Sequence, residues 1–132
     1  MSSYFVLPEQ VETQVFDWGN LKWMSAPNVT GAQKFSAGVV LLAPGKGHIT
    51  HNHPGTEEIL YVVYGYGRQR VADEETDLRP GMLVFIPEGV DHSTMNTGWE
   101  TLKLIAIYAP PGPEMALREL PDCRVLPPGE LP

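Results

Sequence analysis

The chain has 132 residues, a length that fits one domain and is enough to bury a hydrophobic core. Its formal net charge of −7 disfavours nonspecific binding to nucleic acid or to an anionic membrane, and no Lys/Arg cluster forms a basic groove. No apolar stretch approaches the ~20 residues of a membrane span. We therefore expect one domain, residues 1–132, that binds neither nucleic acid nor membrane.

Cys123 is the only cysteine, so an intrachain disulfide is impossible. A single unpaired cysteine is typical of the reducing cytoplasm. This cysteine lies in a Pro-rich tail far in sequence from the histidines, and we expect no nucleophilic role for it. The N-terminus has no basic segment, and its apolar run at residues 4–7 is too short for a signal peptide. These features predict a cytoplasmic location.

Short apolar runs separated by turn residues follow one another along the chain. Gly and Pro each occur 13 times and are spread between the runs, which indicates many short strands rather than disorder. Strands at spacings of about ten residues predict an all-β sandwich or barrel. The predicted strands cover residues 14–18, 21–24, 34–43, 58–64, 68–72, 76–78, 82–86, 91–96 and 102–108.

Three further expectations follow from the pattern. Gly19-Asn20 suits a two-residue hairpin turn between the first two strands. Residues 114–120 predict one or two helical turns, and residues 121–132 an extended arm that packs along the sheet, covers a partner subunit or frays. The predicted core residues of the strands are Val39, Leu41, Val84, Ile86, Leu104 and Ile107.

A histidine-rich segment carries the strongest chemical signal. His51 and His53 are two residues apart in an extended stretch, so their side chains share one face. A carboxylate follows within a few residues, and His92 comes from a separate segment. Imidazole nitrogens and a carboxylate oxygen are ligands of divalent transition metals, and the pattern therefore predicts such a site.

The spacing of these residues resembles that of the cupin superfamily, small RmlC-like β-barrels. The first cupin motif is Gly, five residues, His-x-His, four residues, Glu, six residues, Gly; the second is Gly, five residues, Pro-x-Gly, two residues, His, three residues, Asn. The chain matches them at Gly45, His51, His53, Glu58 and Gly65, and at Gly81, Pro87, Gly89, His92 and Asn96.

The resemblance implies a single-domain double-stranded β-helix (jelly-roll) barrel with a short C-terminal helical turn. The barrel core would cover about residues 34–110, with N-terminal strands at 14–24 and a C-terminal extension at 111–132. It implies one divalent transition metal per chain (Fe, Mn, Ni or Zn) held by His51, His53, Glu58 and His92. By analogy with small cupins that add an N-terminal strand to a neighbour, we also expect a homodimer, in which Trp18, Trp23 and Phe35 would lie in the core or at the interface.

The identity of the carboxylate ligand stays open between two adjacent residues. Glu58 has the motif's distance from Gly65 and shares strand parity with Leu60 and Val62, so we favour it. Glu57 would share the face of the histidines only if the strand ran straight through Pro54-Gly55, which disfavours it. His48 precedes His51 by three residues and is expected at the rim.

Other polar residues are candidates for lining a pocket. Tyr64 shares strand parity with Glu58 and could present its phenol to a substrate or close the end of the barrel. Asn96 shares parity with His92 and could also bond the nearby backbone. One of Tyr66, Arg68 and Arg70 could point inward, and the sequence does not distinguish them.

Three histidines and one glutamate leave one or two coordination positions free, which is typical of catalytic metal sites. We therefore favour a metal-dependent enzyme acting on a small oxygenated organic molecule, an oxygenase first and an isomerase, cyclase or lyase next. The alternative is a non-enzymatic cupin that binds a sugar or metabolite. A storage protein is disfavoured because all four ligands are present, and a metal-independent epimerase because that chemistry needs an acid–base pair.

Overall fold

The computed structural model describes residues 4–132 and confirms the all-β prediction. Within this range ten strands and one α-helix are formed: β1 (Thr13–Phe16), β2 (Gly19–Ser25), β3 (Ser36–Leu42), β4 (Glu57–Tyr64), β5 (Gly67–Val71), β6 (Glu74–Leu78), β7 (Leu83–Ile86), β8 (His92–Asn96), β9 (Leu102–Ala109), α1 (Pro113–Arg118) and β10 (Arg124–Leu126). The larger sheet has the order β10-β1-β2-β3-β9-β4-β7, and the smaller has the order β6-β5-β8. All strand pairs are antiparallel. No helix in residues 4–132 is long and apolar enough to cross a membrane.

The core lies between the two sheets because apolar residues alternate along the strands of the larger one. On β9 every second residue from Leu102 to Tyr108 is buried, and on β3 every second residue from Ser36 to Leu42. Neighbouring strands keep the same register, so their buried side chains form one layer. Leu78 on β6 completes this cluster from the smaller sheet.

Three of the predicted core residues lie on the other face of the larger sheet. Val84, Ile86 and Leu104 are buried as expected, but Val39, Leu41 and Ile107 are only partly buried and point away from the core. Apolar composition alone could not distinguish them, because both faces of this sheet carry β-branched and aliphatic residues.

The first hairpin differs from its prediction by two residues. Phe16 pairs with Gly19, so Asp17 and Trp18 form the loop and Gly19 begins β2. Gly19 has φ of 149°, and a Cβ at this position would lie 1.9 Å from the backbone oxygen of Leu41. The glycine is therefore required by the approach of β3 rather than by the turn.

The C-terminal arm packs along the larger sheet instead of leaving the domain. Arg124–Leu126 pairs with β1, with Leu126 opposite Thr13. Strand β1 therefore has a neighbour from this chain on each side, β2 and β10. Both N-terminal strands in the described residues, β1 and β2, are thus paired on each side within the chain, and the expected homodimer stays a prediction.

Asn96 holds three backbone segments together at the end of β8. Its side-chain nitrogen donates to the carbonyl oxygens of Leu42 (2.9 Å) and Glu100 (2.8 Å), and its oxygen accepts from Gly98 N–H at 2.8 Å. The side chain is completely buried. The contacts indicate a structural function for this motif residue.

We expect Asn96→Ala to lower the free energy of unfolding by about 2–4 kcal/mol, because three hydrogen bonds of about 1 kcal/mol are lost and a buried carbonyl loses a partner. Asn52→Ala is the control: Asn52 is exposed, donates one bond to Asp91 and should cost less than about 0.5 kcal/mol. Urea denaturation of both variants measures the difference. Equal costs would show that Asn96 does not have this function.

Candidate metal centre

The histidine segment is fixed to β8 by backbone pairing. His51 and His92 lie directly opposite each other and exchange both backbone hydrogen bonds, at 3.0 and 2.9 Å. Gly47 lies opposite Met95 in a second bridge, where the hydrogen bonds run from His48 N–H to the Thr94 oxygen and from Asn96 N–H to the Lys46 oxygen, both 2.8 Å. A Cβ on Gly47 would lie 2.2 Å from the oxygen of Thr94. The first motif therefore needs glycine at this position to approach β8, and the approach brings the two motifs together.

The structure brings three histidines and Glu58 to one point inside the fold. One ring nitrogen from each of His51, His53 and His92 lies within 4.8 Å of the others. Glu58 Oε1 is 3.5 Å from His53 Nε2 and 3.2 Å from His92 Nε2. Glu58 is 5% exposed and points inward, whereas Glu57 is exposed on the opposite face of β4.

Backbone carbonyls orient two of the imidazoles. His51 Nδ1 is 2.7 Å from the oxygen of Ile49, and His92 Nδ1 is 2.9 Å from the oxygen of Val90. A carbonyl only accepts, so each Nδ1 carries the proton and each Nε2 presents a lone pair. Such outer contacts are typical of metal-binding histidines, since they fix the tautomer and the direction of the ring.

The lone pairs of this cluster have no protein donor. His53 Nε2, His92 Nε2 and Glu58 Oε1 are buried and lack a hydrogen-bond partner in the described part of the chain. His92 Nε2 and Glu58 Oε1 are 3.2 Å apart. While His92 is neutral with Nδ1 protonated, both atoms are acceptors and repel, and either a second proton on His92 or a metal cation relieves this repulsion. The donor set therefore fits a transition-metal ion.

Burial sets the protonation of the histidines. Loss of solvation lowers the pKa of His51, and it lowers the pKa of His53 to about 4 with a further contribution from His51 and His92. Burial also lowers the pKa of His92, but Glu58 and the Val90 carbonyl raise it by more, so its pKa lies above the usual value. His51 and His53 are thus neutral at pH 7, the form that binds a metal.

A cavity of about 570 Å³ opens from the cluster. Most of its wall is apolar and comes from the inward faces of β2, β3, β4 and β9 and from α1 and the residues after it. Its lining includes the carboxylates Asp17, Glu58 and Asp122 but no Lys or Arg among the described residues. Since such a wall solvates an anion poorly, the cavity suits a neutral and largely apolar molecule.

Tyr108 is a cavity residue that the sequence reading missed. It is buried opposite Glu58 in the register of β9 and β4, and its ring lies 5.0 Å from that of His53. Burial, together with Glu58 and Glu114, raises the pKa of its phenol well above the usual value, so the group stays protonated. The alternation of Leu102, Leu104 and Ala106 on β9 was the signal that could have placed it inside.

The sequence-predicted pocket candidates lie elsewhere. Tyr64 is 44% exposed on the outer face of the larger sheet, because a β-bulge between Val62 and Tyr64 reverses the alternation of side chains. Asn96 is buried on the inward face at the end of β8, beyond His92 and Thr94, and does not line the cavity. The side chains of Tyr66, Arg68 and Arg70 are exposed on or beside β5, where Arg68 pairs with Asp77 and Glu75.

His48 and Cys123, the other two residues considered in the sequence analysis, both lie outside the converging cluster. His48 lines the cavity edge-on to Trp18, with ring centroids 4.5 Å apart, and burial among the other histidines lowers its pKa to about 3. It is outside the group of three converging histidines. Cys123 is half-buried, and burial raises the pKa of its thiol, the opposite of what a nucleophile needs.

The fold and sequence are similar to those of known proteins. The chain is 32% identical to Protein SchB of Streptomyces halstedii over 95 residues (72% of this chain, 69% of SchB). It is 29% identical to the tetracenomycin polyketide synthase protein TcmJ of Streptomyces glaucescens over 99 residues (74% of this chain, 66% of TcmJ). The chain therefore spans about two thirds of the length of these relatives.

Two solved structures show the same architecture. An RmlC-like cupin from Shewanella frigidimarina superposes with a TM-score of 0.71 at 22% identity (86% of this chain, 96% of that one). The oxalate decarboxylase of Lactobacillus farciminis, in its formate complex, gives 0.71 at 27% identity (77% of this chain, 32% of that one). The predicted jelly-roll fold is thus confirmed. Because the family model of the cupin domain matches residues 38–108, the chain is a member of the cupin family.

Proposed function

We propose that this cupin is a metal-dependent oxygenase that acts on a neutral, largely apolar, oxygenated small molecule. The observation that carries the proposal is the convergence of four nitrogen and oxygen donors at the wall of a large apolar cavity. A purely structural metal site would be closed by its ligands and would have no cavity beside it. A cytoplasmic location remains part of the proposal and rests on the single unpaired cysteine.

The ligands would be His51, His53, His92 and Glu58. Three neutral imidazoles and one carboxylate leave a divalent ion with one net positive charge and up to two free positions, which suits a substrate oxygen that carries or develops negative charge. When bound, iron supplies one-electron chemistry with dioxygen, whereas manganese, nickel or zinc supplies Lewis acidity.

The cavity wall would select the substrate. Its apolar residues exclude water and favour a molecule with several rings or a long carbon skeleton. Tyr108 offers a protonated phenol that can donate a hydrogen bond to a substrate oxygen close to the metal ligands. Polyketides have these properties: a large apolar skeleton that carries oxygen atoms. TcmJ, one of the relatives, is named as a polyketide synthase protein.

The structural similarity to an oxalate decarboxylase suggests oxalate as another substrate, but the cavity supports this substrate less well than a neutral one. Oxalate is a small dianion, and a site for it gains from Arg or Lys beside the metal. The lining of this cavity includes no such residue in the described part of the chain and includes three carboxylates. We therefore propose a polyketide-like aromatic molecule rather than oxalate.

The proposal is tested with protein loaded separately with iron(II) and zinc. With phenolic and 1,3-diketone compounds of two to four rings, we expect substrate-dependent dioxygen consumption by the iron form only. Tyr108→Phe should keep its metal and lose about 10-fold or more in turnover, since one donor to the substrate oxygen is removed.

Two outcomes would contradict an oxygenase. Turnover without dioxygen by the zinc form would identify an isomerase, cyclase or lyase. Ligand binding with no turnover for any metal would favour the alternative, a non-enzymatic binding cupin.

A further inference from the structure

A second cavity, of about 220 Å³, lies between α1 and the strands β1 and β2. Its wall is formed by the segment before β1, by the loop after β2 and by α1, and we call it the α1 cavity. Trp23 is the only residue that lines both this cavity and the one at the metal centre. No proposed metal ligand lines it. The α1 cavity is therefore a separate space, divided from the metal centre by an indole ring.

Gln14 brings a free hydrogen-bond acceptor to the α1 cavity. The residue is 1% exposed, and its Nε2 donates to the backbone oxygen of Glu114 at 3.2 Å. This bond fixes the orientation of the amide, because the reverse orientation would place two acceptors against each other. The Oε1 of Gln14 is then buried without a donor in residues 4–132. Since buried polar groups are nearly always hydrogen-bonded, we expect an occupant of the cavity to donate to this atom.

Trp23 brings a free donor to the same cavity. Its ring lies over Gly38 on β3, where a Cβ would be 2.6 Å from Cε3 and 3.0 Å from Cζ3 of the indole. The Nε1 atom is on the opposite edge of the ring, and β2 lies between β3 and β1 in the sheet. The N–H is therefore directed to the β1 side, where Gln14 lies. This Nε1 is also buried and has no partner in the part of the chain that the structure describes.

The rest of the wall limits the size of an occupant. Apolar contacts come from side chains such as Val11, Val29 and Met115. Arg118 donates to Glu12 beside them, so these two charges neutralise each other. The volume equals that of about seven water molecules and lies below the roughly 300–1,000 Å³ of sites for drug-sized ligands. The cavity therefore fits a molecule with a few carbon atoms.

The charge of the wall restricts the occupant further. Glu114 lines the cavity and is 3% exposed, and its Oε1 accepts from Ser36 Oγ and from Gly112 N–H, both at 2.8 Å. A carboxylate held in this position would repel an anion. An organic cation could donate to the Gln14 oxygen but would leave the Trp23 N–H without an acceptor. A neutral group that both donates and accepts satisfies both atoms.

We propose that the α1 cavity is a second ligand site, which binds a small neutral molecule with a hydroxyl or primary amide group on a short carbon chain. The polar group accepts from the Trp23 N–H and donates to the Gln14 oxygen, and the chain contacts Val29 and Met115. The two polar atoms give the site its selectivity, since an acid or an amine of the same size satisfies only one of them.

Four compounds with the same number of carbon atoms test this selectivity: butanol, butanamide, butanoate and butylammonium. The full chain, isotope-labelled at its three tryptophans, gives one indole N–H signal for each in a nuclear magnetic resonance spectrum, and Trp23→Phe assigns the signal of Trp23. We expect butanol and butanamide to shift this signal with dissociation constants of about 1 mM. Butanoate and butylammonium should bind at least about 10-fold more weakly. The signal of Trp99, which is 97% exposed, should not move and is the internal control.

Two variants locate the binding in the α1 cavity. Gln14→Met removes the acceptor with a side chain of similar length and should weaken butanol binding about 10-fold. Val29→Phe fills the cavity without removing a polar group and should abolish the shift. Val63→Phe makes the same substitution at a residue on β4 that is 37% exposed and outside this wall, and it should bind as wild type does.

Three outcomes would overturn the proposal. Absence of a saturable shift of the Trp23 signal would mean that ordered water alone fills the cavity. Equal binding of all four compounds would show that the two polar atoms do not select the ligand. Binding that survives both Gln14→Met and Val29→Phe would place the compounds in the cavity at the metal centre instead. Neither the probes nor the readout involves a metal, so the result is independent of the oxygenase proposal.

Discussion

Replacing Glu58 with glutamine is expected to weaken transition-metal binding by at least about 100-fold, whereas Glu57→Gln should leave it unchanged within about twofold. Loss of an outer contact to a ligand already costs 10–100-fold in known sites, and Glu58→Gln removes the only negatively charged donor of the proposed set. Glu57 carries the same charge one residue away but points to the other face of the sheet.

The pair of variants is closely matched, since both residues lie on β4 and both substitutions remove one negative charge. Competition of the metal-free proteins with a chromophoric chelator gives the dissociation constants. A larger loss in Glu57→Gln than in Glu58→Gln would contradict the assignment of the ligand.

Replacing His92 with alanine should abolish stoichiometric metal binding, from about one ion per chain to less than about 0.1 after dialysis. His92 presents its Nε2 lone pair beside Glu58 and is the only cluster member supplied by the second motif. Without it the site keeps two imidazoles and one carboxylate, which hold divalent ions weakly. We expect the sheets to stay folded, as judged by far-UV circular dichroism.

His48→Ala is the matched control for this variant. His48 also lines the cavity but is outside the converging group, so its removal should leave the metal content unchanged. The absorption of bound cobalt(II) provides a second readout, because band intensity reports the coordination number. Full metal content in His92→Ala, or its loss in His48→Ala, would show that the site is built from other residues.

Much of the site could be predicted from the sequence because its determinants are local. The spacing of two histidines in an extended stretch places both on one face, and the backbone bridge between His51 and His92 adds the third. The choice of Glu58 over Glu57 followed from its parity with Leu60 and Val62, both of which are buried. The structure brings these four side chains together; their function as ligands remains a prediction.

The incorrect predictions for Tyr64, the first hairpin and the outer core candidates share a physical cause. In each case, pairing between strands that are distant in the sequence sets the position of the residue. The bulge that turns Tyr64 outward arises from the register between β4 and β9. The first hairpin shifts because Gly19 is needed against Leu41. The outer positions of Val39 and Ile107 depend on which side of the sheet receives the second layer, and alternation alone does not contain that information.

The central claim of this account is that the four-residue cluster holds one transition-metal ion. Elemental analysis of the tag-free protein, purified without a nickel column and re-supplied with iron(II), manganese(II) or zinc, tests it most directly. We predict about one tightly held ion per chain. Less than about 0.1 ion per chain with every metal would contradict the claim, and the oxygenase proposal with it.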